Sequence, residues 1–185
     1  MAARPPWFII GRAAKPTCLR GRLSSNVRPH VNLRRPSVRV TEFDHRATDE
    51  LVPMWRESFE FGVGVVDPHS LEEQRAYFLN KVLPENRVRL AWSGEELVAF
   101  LASTPESVTL LHVKVSHIGR GIGSQLLRLA QAESSGSLWL FTFQRNERAC
   151  RFYEHHGFEV VARGFEPTWK LEDVKYVWAR RLGAA

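Results

Sequence analysis

The feature that most constrains this fold is a glycine-rich turn between an apolar strand and an amphipathic helix. Residues 110–115 predict the strand, and the turn Gly119-Arg120-Gly121-Ile122-Gly123-Ser124 follows. A helix and a second apolar strand, residues 138–143, come next. Glycines let a backbone approach a ligand closely, and a helix N-terminus presents unpaired N–H groups and the positive end of a dipole. The pattern therefore predicts a phosphate cradle.

Two common phosphate-binding patterns do not fit this turn. The dinucleotide fingerprint G-x-G-x-x-G/A needs a third small residue of the right type, and that position holds Ser124 or Leu126, depending on the starting glycine. The P-loop pattern fails because no Gly-Lys-Ser or Gly-Lys-Thr follows. A tight strand-to-helix turn that binds nothing is the alternative interpretation.

The turn resembles the acetyl-CoA-binding motif Q/R-x-x-G-x-G/A of the GNAT N-acetyltransferase superfamily. Ile118 stands where the family usually has Gln or Arg, a position that acts largely through its backbone. The resemblance implies that this segment binds the pyrophosphate of acetyl-CoA and that Arg120 adds side-chain charge. The residues it assigns are Ile118, Gly119, Arg120, Gly121, Ile122, Gly123 and Ser124.

A second motif follows at residues 146–158, which read NERACRFYEHHGF. This stretch is similar to the GNAT pattern N-x-x-A-x-x-F-Y-E-x-x-G-F, with every fixed position filled. Asn146, Ala149 and Tyr153 share one helix face because they are spaced i, i+3 and i+7. The resemblance implies that Asn146 and Ala149 face the pantetheine arm and that the Tyr153 hydroxyl lies near the sulfur.

The periodicity of the chain predicts the element order βααβββαβαββ from residue 38 onward. This order is an α/β (α+β mixed) arrangement with helices on both faces of the sheet. It is also the order of the GNAT acyl-CoA N-acyltransferase fold, so the resemblance covers roughly residues 38–180. We expect a mixed central sheet of about seven strands flanked by four helices.

The charge of the chain is unevenly distributed. Residues 1–41 contain nine Lys or Arg and no Asp or Glu, whereas residues 42–185 contain 17 Lys or Arg against 20 Asp or Glu. Residues 1–37 are therefore predicted to be a basic, disordered leader before a GNAT domain at 38–185. A transit peptide or an interaction arm is the alternative for the leader. A nucleic-acid partner is not expected, because the folded part is mildly acidic.

The composition of the chain limits the expected cellular location and the expected ligands. Two cysteines make no disulfide framework, and no apolar run is long enough to cross a membrane, so a cytoplasmic location is expected. The adjacent His155 and His156 diverge on a helix, so we predict no metal site. Cys150 is interpreted as a small buried filler rather than a nucleophile. A homodimer is possible by family resemblance.

The chemistry of acyl transfer suggests roles for the strand and the second motif. Parallel strands that splay apart leave unpaired backbone groups, to which pantetheine amides can add like a further strand. Leu111 and Val113 are the strand residues we place there, and a backbone N–H of this strand is the natural donor to the developing oxyanion. Tyr153 is the predicted general acid to the CoA thiolate, because a phenol and a thiol have similar pKa values. Packing in the core is the alternative role for Tyr153.

The general base stays open at this stage. Glu106 and His112 flank the strand before the glycine turn, and a water chain to solvent is the third option. Two further sets of residues surround the expected acceptor region. Trp55, Phe59, Phe61 and Trp169 are candidates for an aromatic wall, with core packing as the alternative. Asp67, Glu166, Glu172 and Asp173 are candidates for attracting a cationic amine.

Three functions are compatible with these observations. The first is an acetyl-CoA-dependent N-acetyltransferase that moves the acetyl group directly to a primary amine of a small molecule or a protein. The second is a catalytically silent CoA-binding regulatory module whose basic arm engages a partner. The third is a transferase that uses a longer acyl-CoA.

Overall fold

The computed structural model of this chain describes residues 38–180. The predicted leader at 1–37 lies outside the described residues, so the domain boundary at residue 38 stays a prediction. Within the described part, the predicted element order is confirmed.

Seven strands are formed, as the alternating patterns predict. Their bounds are β1 Arg39–Glu42, β2 Arg87–Ser93, β3 Glu96–Ser103, β4 Val108–Val113, β5 Ser137–Phe143, β6 Glu159–Glu166 and β7 Leu171–Ala179.

Four helical rods flank the strands. The first is α1 (Thr48–Val63). The second consists of α2 (Leu71–Tyr77), a π-helical segment (Phe78–Val82) and the short α3 (Leu83–Glu85), which are continuous. The third and fourth are α4 (Ile122–Glu133) and α5 (Glu147–His155). Short 3₁₀ turns occur at His45–Ala47 and Val115–His117. A capping box starts α2, in which the side chains of Ser70 and Glu73 each accept a hydrogen bond from the other's backbone N–H.

The sheet is divided into two antiparallel parts. The first has the order β1-β2-β3-β4, and the second has the order β5-β7-β6. A parallel bridge between Ser107 and Trp139 joins them at the start of β4, where the Trp139 N–H donates to the Glu106 carbonyl at 2.9 Å. Beyond this bridge β4 and β5 are not paired in a ladder, so a gap opens toward the ends of both strands.

Each face of the sheet has its own hydrophobic core. On one face, α4 and α5 pack over β3, β5 and β7, with Leu126, Leu127 and Tyr153 buried there. On the other face, α1 and α2 cover β2 and β3, with Trp55 and Phe100 at the centre. The buried face of α4 is an apolar stripe at helical spacing: Ile122, Leu126, Leu127 and Ala130.

The last hairpin differs from the sequence prediction. The patterns gave strands at 158–162 and 174–180 with a long loop between them, but β6 and β7 extend to a short turn at 167–170. Gly164 falls between the two predicted strands. It lies instead within β6 opposite Asp173, whose carboxylate oxygen occupies the place of a side chain, 2.6 Å from where a Gly164 Cβ would stand.

Within residues 38–180, no helix is both long enough and apolar enough to cross a membrane. The cytoplasmic location and the homodimer stay predictions.

Candidate active site

The gap between β4 and β5 exposes backbone groups of β4. The Lys114 N–H donates to the Val98 carbonyl at 2.8 Å, and Val113 pairs with Ala99 in the antiparallel ladder. Residues along an antiparallel strand direct their backbone groups alternately toward and away from the neighbouring strand. The N–H and C=O groups of Leu111 and Val113 therefore face away from β3 and into the gap, as the splayed-strand argument predicts.

The glycine turn has the conformation that a cradle needs. Gly119 and Gly121 have φ values of 82° and 84°, and a Cβ at either position would meet no atom within 4 Å. These glycines are therefore required by backbone conformation and not by packing. Gly121 is the N-cap of α4 and no side chain caps this helix, so its first N–H groups are available to an anion.

The cradle and the gap belong to one cavity of about 640 Å³. It is lined by Ser58, Phe61, Gly62, Leu111, Val113, His117, Ile118, Gly119, Gly121, Ile122, Gly123, Ser124, Asn146, Arg148, Ala149, Phe152 and Tyr153. We call this the donor cavity. The structure thus brings together every residue predicted to bind the donor except Arg120, whose side chain is exposed and does not line the cavity.

The second motif is held in place by a close approach of two helices. Asn146 caps α5 by accepting the Ala149 N–H at 3.1 Å. A Cβ on Gly62 of α1 would stand only 2.7 Å from the Asn146 side-chain nitrogen. Gly62 therefore lets α1 pass directly beside Asn146, and a larger residue there would displace this amide from the donor cavity.

A second cavity of about 200 Å³ lies on the α1 side of the gap. We call it the acceptor cavity. Its lining residues are Trp55, Ser58, Phe59, Val63, Asp67, Tyr77, Val82, Val108, Thr109, Leu110, Leu111, His112, Phe141, Thr142, Phe143, Asn146, Ala149, Tyr153, Glu166 and Asp173.

The two cavities share a set of lining residues, which we call the junction: Ser58, Leu111, Asn146, Ala149 and Tyr153. Tyr153 is 7 % exposed, and its hydroxyl has no hydrogen-bond partner among residues 38–180. Burial raises the pKa of Tyr153 above its usual range, so the phenol stays protonated at neutral pH.

The two candidates for the general base differ in their position relative to the cavities. Glu106 is exposed in the β3–β4 turn beside Thr104 and lines neither cavity. His112 does line the acceptor cavity, stacked on Phe100, with its Nδ1 3.2 Å from the Ser58 hydroxyl. Burial lowers the pKa of His112 to about 3, so its imidazole is neutral and a weak base.

The aromatic candidates are divided between the two cavities. Trp55 and Phe59 line the acceptor cavity, and Trp169 packs on Phe59 with ring centroids 4.7 Å apart. Phe61 lies instead at the donor cavity, where the Arg148 guanidinium stands 5.1 Å from its ring.

Of the four candidate acids, three are buried in the wall of the acceptor cavity: Asp67, Glu166 and Asp173. Glu172 is exposed and lines neither cavity, because it points to the opposite side of β7 from Asp173.

The sequence argument missed Ser58, Gly62 and Arg148 as lining residues. Ser58 and Gly62 follow the buried Leu51 and Trp55 at helical spacing, so the periodicity of α1 does place them on the inner face. Nothing in that pattern indicates that this face meets the junction.

Across residues 38–180, no group of His, Cys, Asp and Glu side chains has the arrangement of a metal site. The His156 ring bonds the Phe152 carbonyl at 2.7 Å, and the Cys150 thiol is half-buried near the Phe143 carbonyl.

Replacing Asp173 with Asn should stabilise the protein. Burial and the adjacent Glu166 raise the pKa of Asp173, so its ionised form is disfavoured in the native state relative to the unfolded chain. The carboxyl group of Asp173 therefore contributes most to stability at pH values below its pKa in the unfolded chain. This contribution is lost as the pH rises through its higher pKa in the native state. We expect the melting temperature of Asp173→Asn at pH 7 to exceed that of the wild type by about 2–4 °C, the effect of about 1 kcal/mol at this size. Calorimetry at pH 7 and pH 4 should show this advantage shrinking at the lower pH.

Comparison with known proteins identifies the class. The model of the acetyltransferase (GNAT) domain family matches residues 84–160, which span β2 to β6 and contain both motifs. A probable N-acetyltransferase of Mycobacterium tuberculosis is 26% identical over 136 residues, which cover 64% of this chain and 74% of that protein.

Solved structures share the fold at low sequence identity. The PaiA N-acetyltransferase of Thermoplasma acidophilum, in complex with coenzyme A, superposes with a TM-score of 0.63 at 16% identity, covering 77% of this chain and 99% of that one. The structure of an acetyltransferase of Salmonella typhimurium with acetyl-CoA superposes with a TM-score of 0.61 at 14% identity. The match covers 80% of this chain and 97% of that one. These matches support a relationship to the GNAT acetyltransferases, whose domain model matches residues 84–160 and whose fold the described residues share.

Proposed function

We propose that this protein is an acetyl-CoA-dependent N-acetyltransferase that transfers the acetyl group directly to a primary amine. The observation that carries the proposal is the gap between β4 and β5, where two cavities meet at Tyr153, a residue that is 7 % exposed and lines both. One cavity has the features of a donor site, and the other opens on the same point from the α1 side.

Successive regions of the donor cavity have the chemistry to bind the pyrophosphate and then the pantetheine arm of acetyl-CoA. The cradle at Gly119 and Gly121 presents backbone N–H groups and the uncapped N-terminus of α4, which favour a pyrophosphate. The free backbone groups of Leu111 and Val113 can pair with pantetheine amides as an added strand would. Ile118 does not impede this arrangement, because the cradle depends on its backbone groups and not on a Gln or Arg side chain.

The transfer then needs four events at the junction. The neutral amine nitrogen forms a bond to the thioester carbonyl carbon, while a backbone N–H of β4 donates to the oxygen that gains charge. The nitrogen, now positively charged, releases a proton to solvent. The carbon–sulfur bond breaks as the new amide forms. Tyr153 donates its proton to the departing sulfur, and solvent returns a proton to the phenolate.

Neither residue that the sequence offers as a general base is well suited to deprotonate the amine. Glu106 lies away from both cavities, and the lowered pKa of His112 makes it a poor proton acceptor. We therefore propose that the amine loses its proton to water, through the acceptor cavity, before it attacks.

The proposal is tested by titration calorimetry with acetyl-CoA and CoA, combined with a thiol-release assay over a panel of amines. We expect micromolar binding of acetyl-CoA and CoA release that depends on the amine. Binding without transfer to any amine would favour the silent regulatory module. Tighter binding and faster transfer with a longer acyl-CoA would change the donor, and no binding of any of them would overturn the proposal.

A further inference from the structure

The wall of the acceptor cavity carries two carboxylates that the transfer chemistry does not use. Asp173 of β7 lies opposite Phe143 of β5 on one side and Gly164 of β6 on the other. Glu166 is two residues beyond Gly164, so it shares the face of Asp173. The missing side chain at Gly164 gives the Asp173 carboxylate its space, 2.6 Å from the position of a Cβ.

These carboxylates are buried and have no cationic partner, although a backbone hydrogen bond from Gly164 lowers the pKa of Asp173 in part. Glu166 is 2 % exposed and Asp173 is 6 % exposed. One oxygen of Glu166 accepts the Trp169 N–H at 2.6 Å, whereas the other, Oε1, is buried and has no hydrogen-bond partner within residues 38–180. Neither carboxylate forms a salt bridge with any described residue. Leaving a buried carboxylate oxygen unpaired is costly, so this arrangement requires an explanation.

The nearby charged groups do not supply the missing cation. Asp67, the third buried acid, accepts both the backbone N–H and the ring Nδ1 of His69 at 2.9 Å, so it already has a partner. Lys175 lies on the same face of β7 as Asp173, but its ammonium stands over Trp139 and Phe141, at 5.2 and 5.6 Å from their rings. Lys175 does not line the acceptor cavity.

The negative charge is separated from the place of reaction. The five junction residues are uncharged, and both carboxylates line only the acceptor cavity. Because Glu166 and Asp173 do not line the junction, they are not placed against a nitrogen that reacts there. A second, permanent cation in the acceptor cavity would be stabilised by them.

We infer that the acceptor is a small diamine, whose one nitrogen reacts at the junction while the other stays protonated between Glu166 and Asp173. This inference rests on the proposed transferase function. The aromatic rings of Phe59 and Phe143 line the same cavity and can contact the cation or its alkyl chain. The volume of about 200 Å³ corresponds to about seven waters and fits a small molecule.

The test compares acceptors that differ only in the second charge. Putrescine, butylamine and 4-aminobutanol have nearly the same length, but only putrescine carries a second ammonium. We expect the thiol-release assay to give a kcat/KM for putrescine at least tenfold above that of either monoamine. Ethylenediamine and cadaverine then measure the distance between the two nitrogens that the site prefers.

The Glu166→Gln variant connects that preference to the carboxylate. Gln keeps the size and the hydrogen bond to Trp169 but removes the charge, so we expect it to lower kcat/KM for putrescine about tenfold and to leave butylamine within about twofold. Glu172→Gln is the matched control on the exposed side of β7, and it should change neither. Equal rates for putrescine and butylamine, or an unchanged preference in Glu166→Gln, would overturn the inference.

A binding measurement separates this inference from the proposed function. Calorimetric titration of putrescine into the CoA-bound protein should show binding that weakens in Glu166→Gln, even if no amine is acetylated. Transfer to monoamines or to a lysine peptide without putrescine binding would leave the transferase proposal intact and would exclude the diamine. Failure of acetyl-CoA to bind would instead reject the transferase proposal.

Discussion

Tyr153→Phe should lower kcat about 10²-fold or more, while the affinity for acetyl-CoA stays nearly unchanged. The substitution removes only a hydroxyl that lines both cavities and has no partner in residues 38–180. Loss of a positioned general acid typically costs 10²–10⁴-fold. Burial raises the pKa of Tyr153, so it no longer matches the pKa of a thiol closely, as the sequence argument assumed. The raised pKa also keeps the proton on the phenol oxygen until the sulfur leaves. Steady-state kinetics and calorimetry with CoA measure the two quantities separately.

Tyr176→Phe is the matched control for that variant. Tyr176 lies in the same core, with its ring centroid 6.1 Å from that of Tyr153, but its hydroxyl donates to Glu154 and it lines neither cavity. We expect Tyr176→Phe to retain the wild-type kcat. An unchanged kcat in Tyr153→Phe would remove the general-acid role and assign Tyr153 to packing alone.

Gly121→Asp should weaken acetyl-CoA binding by roughly 10²-fold. The new carboxylate would stand at the N-cap of α4, where Gly121 now leaves the helix terminus free of side chains. Two unit charges about 5 Å apart repel by about 3 kcal/mol at an effective dielectric constant of 20, which corresponds to roughly that factor. Calorimetry at low and high salt measures it, and screening should reduce the loss at high salt.

Gly121→Asn isolates the charge from the backbone effect. Asn has the shape of Asp, and both tolerate the left-handed conformation that the φ of 84° demands. We expect Gly121→Asn to bind acetyl-CoA at least tenfold more tightly than Gly121→Asp. Equal affinities of the two variants would show that the phosphates do not lie at this helix terminus.

The donor half of the site could be predicted from the sequence because its determinants are local. The turn at 118–124 and the helix face of Asn146, Ala149 and Tyr153 each depend on a few consecutive residues. Spacing alone therefore fixes which side chains and backbone groups point together. The exception is Arg120, whose side chain is exposed although its neighbours in the turn line the cavity.

The acceptor half could be predicted only as a set of candidates. Asp67, Glu166, Glu172 and Asp173 look alike as residues, and only the pairing of β6 with β7 buries some of them in one wall. Gly164 shows the difficulty most clearly. The predicted strand ended at residue 162, whereas the structure continues it through Gly164, where the Asp173 carboxylate takes the space of a side chain.

The two cavities at the gap are lined largely by different parts of the chain. Apart from Ser58, Phe61 and Gly62 of α1, the residues of the donor cavity come from one continuous stretch between β4 and α5, whereas the acceptor-cavity acids come from the segment after α1 and from the final hairpin. Changes in the 167–170 turn or the 64–70 segment would therefore alter which amine enters without touching the cradle. If the two cavities bind donor and acceptor as proposed, substitutions in these loops could change the preferred amine without rebuilding the cradle.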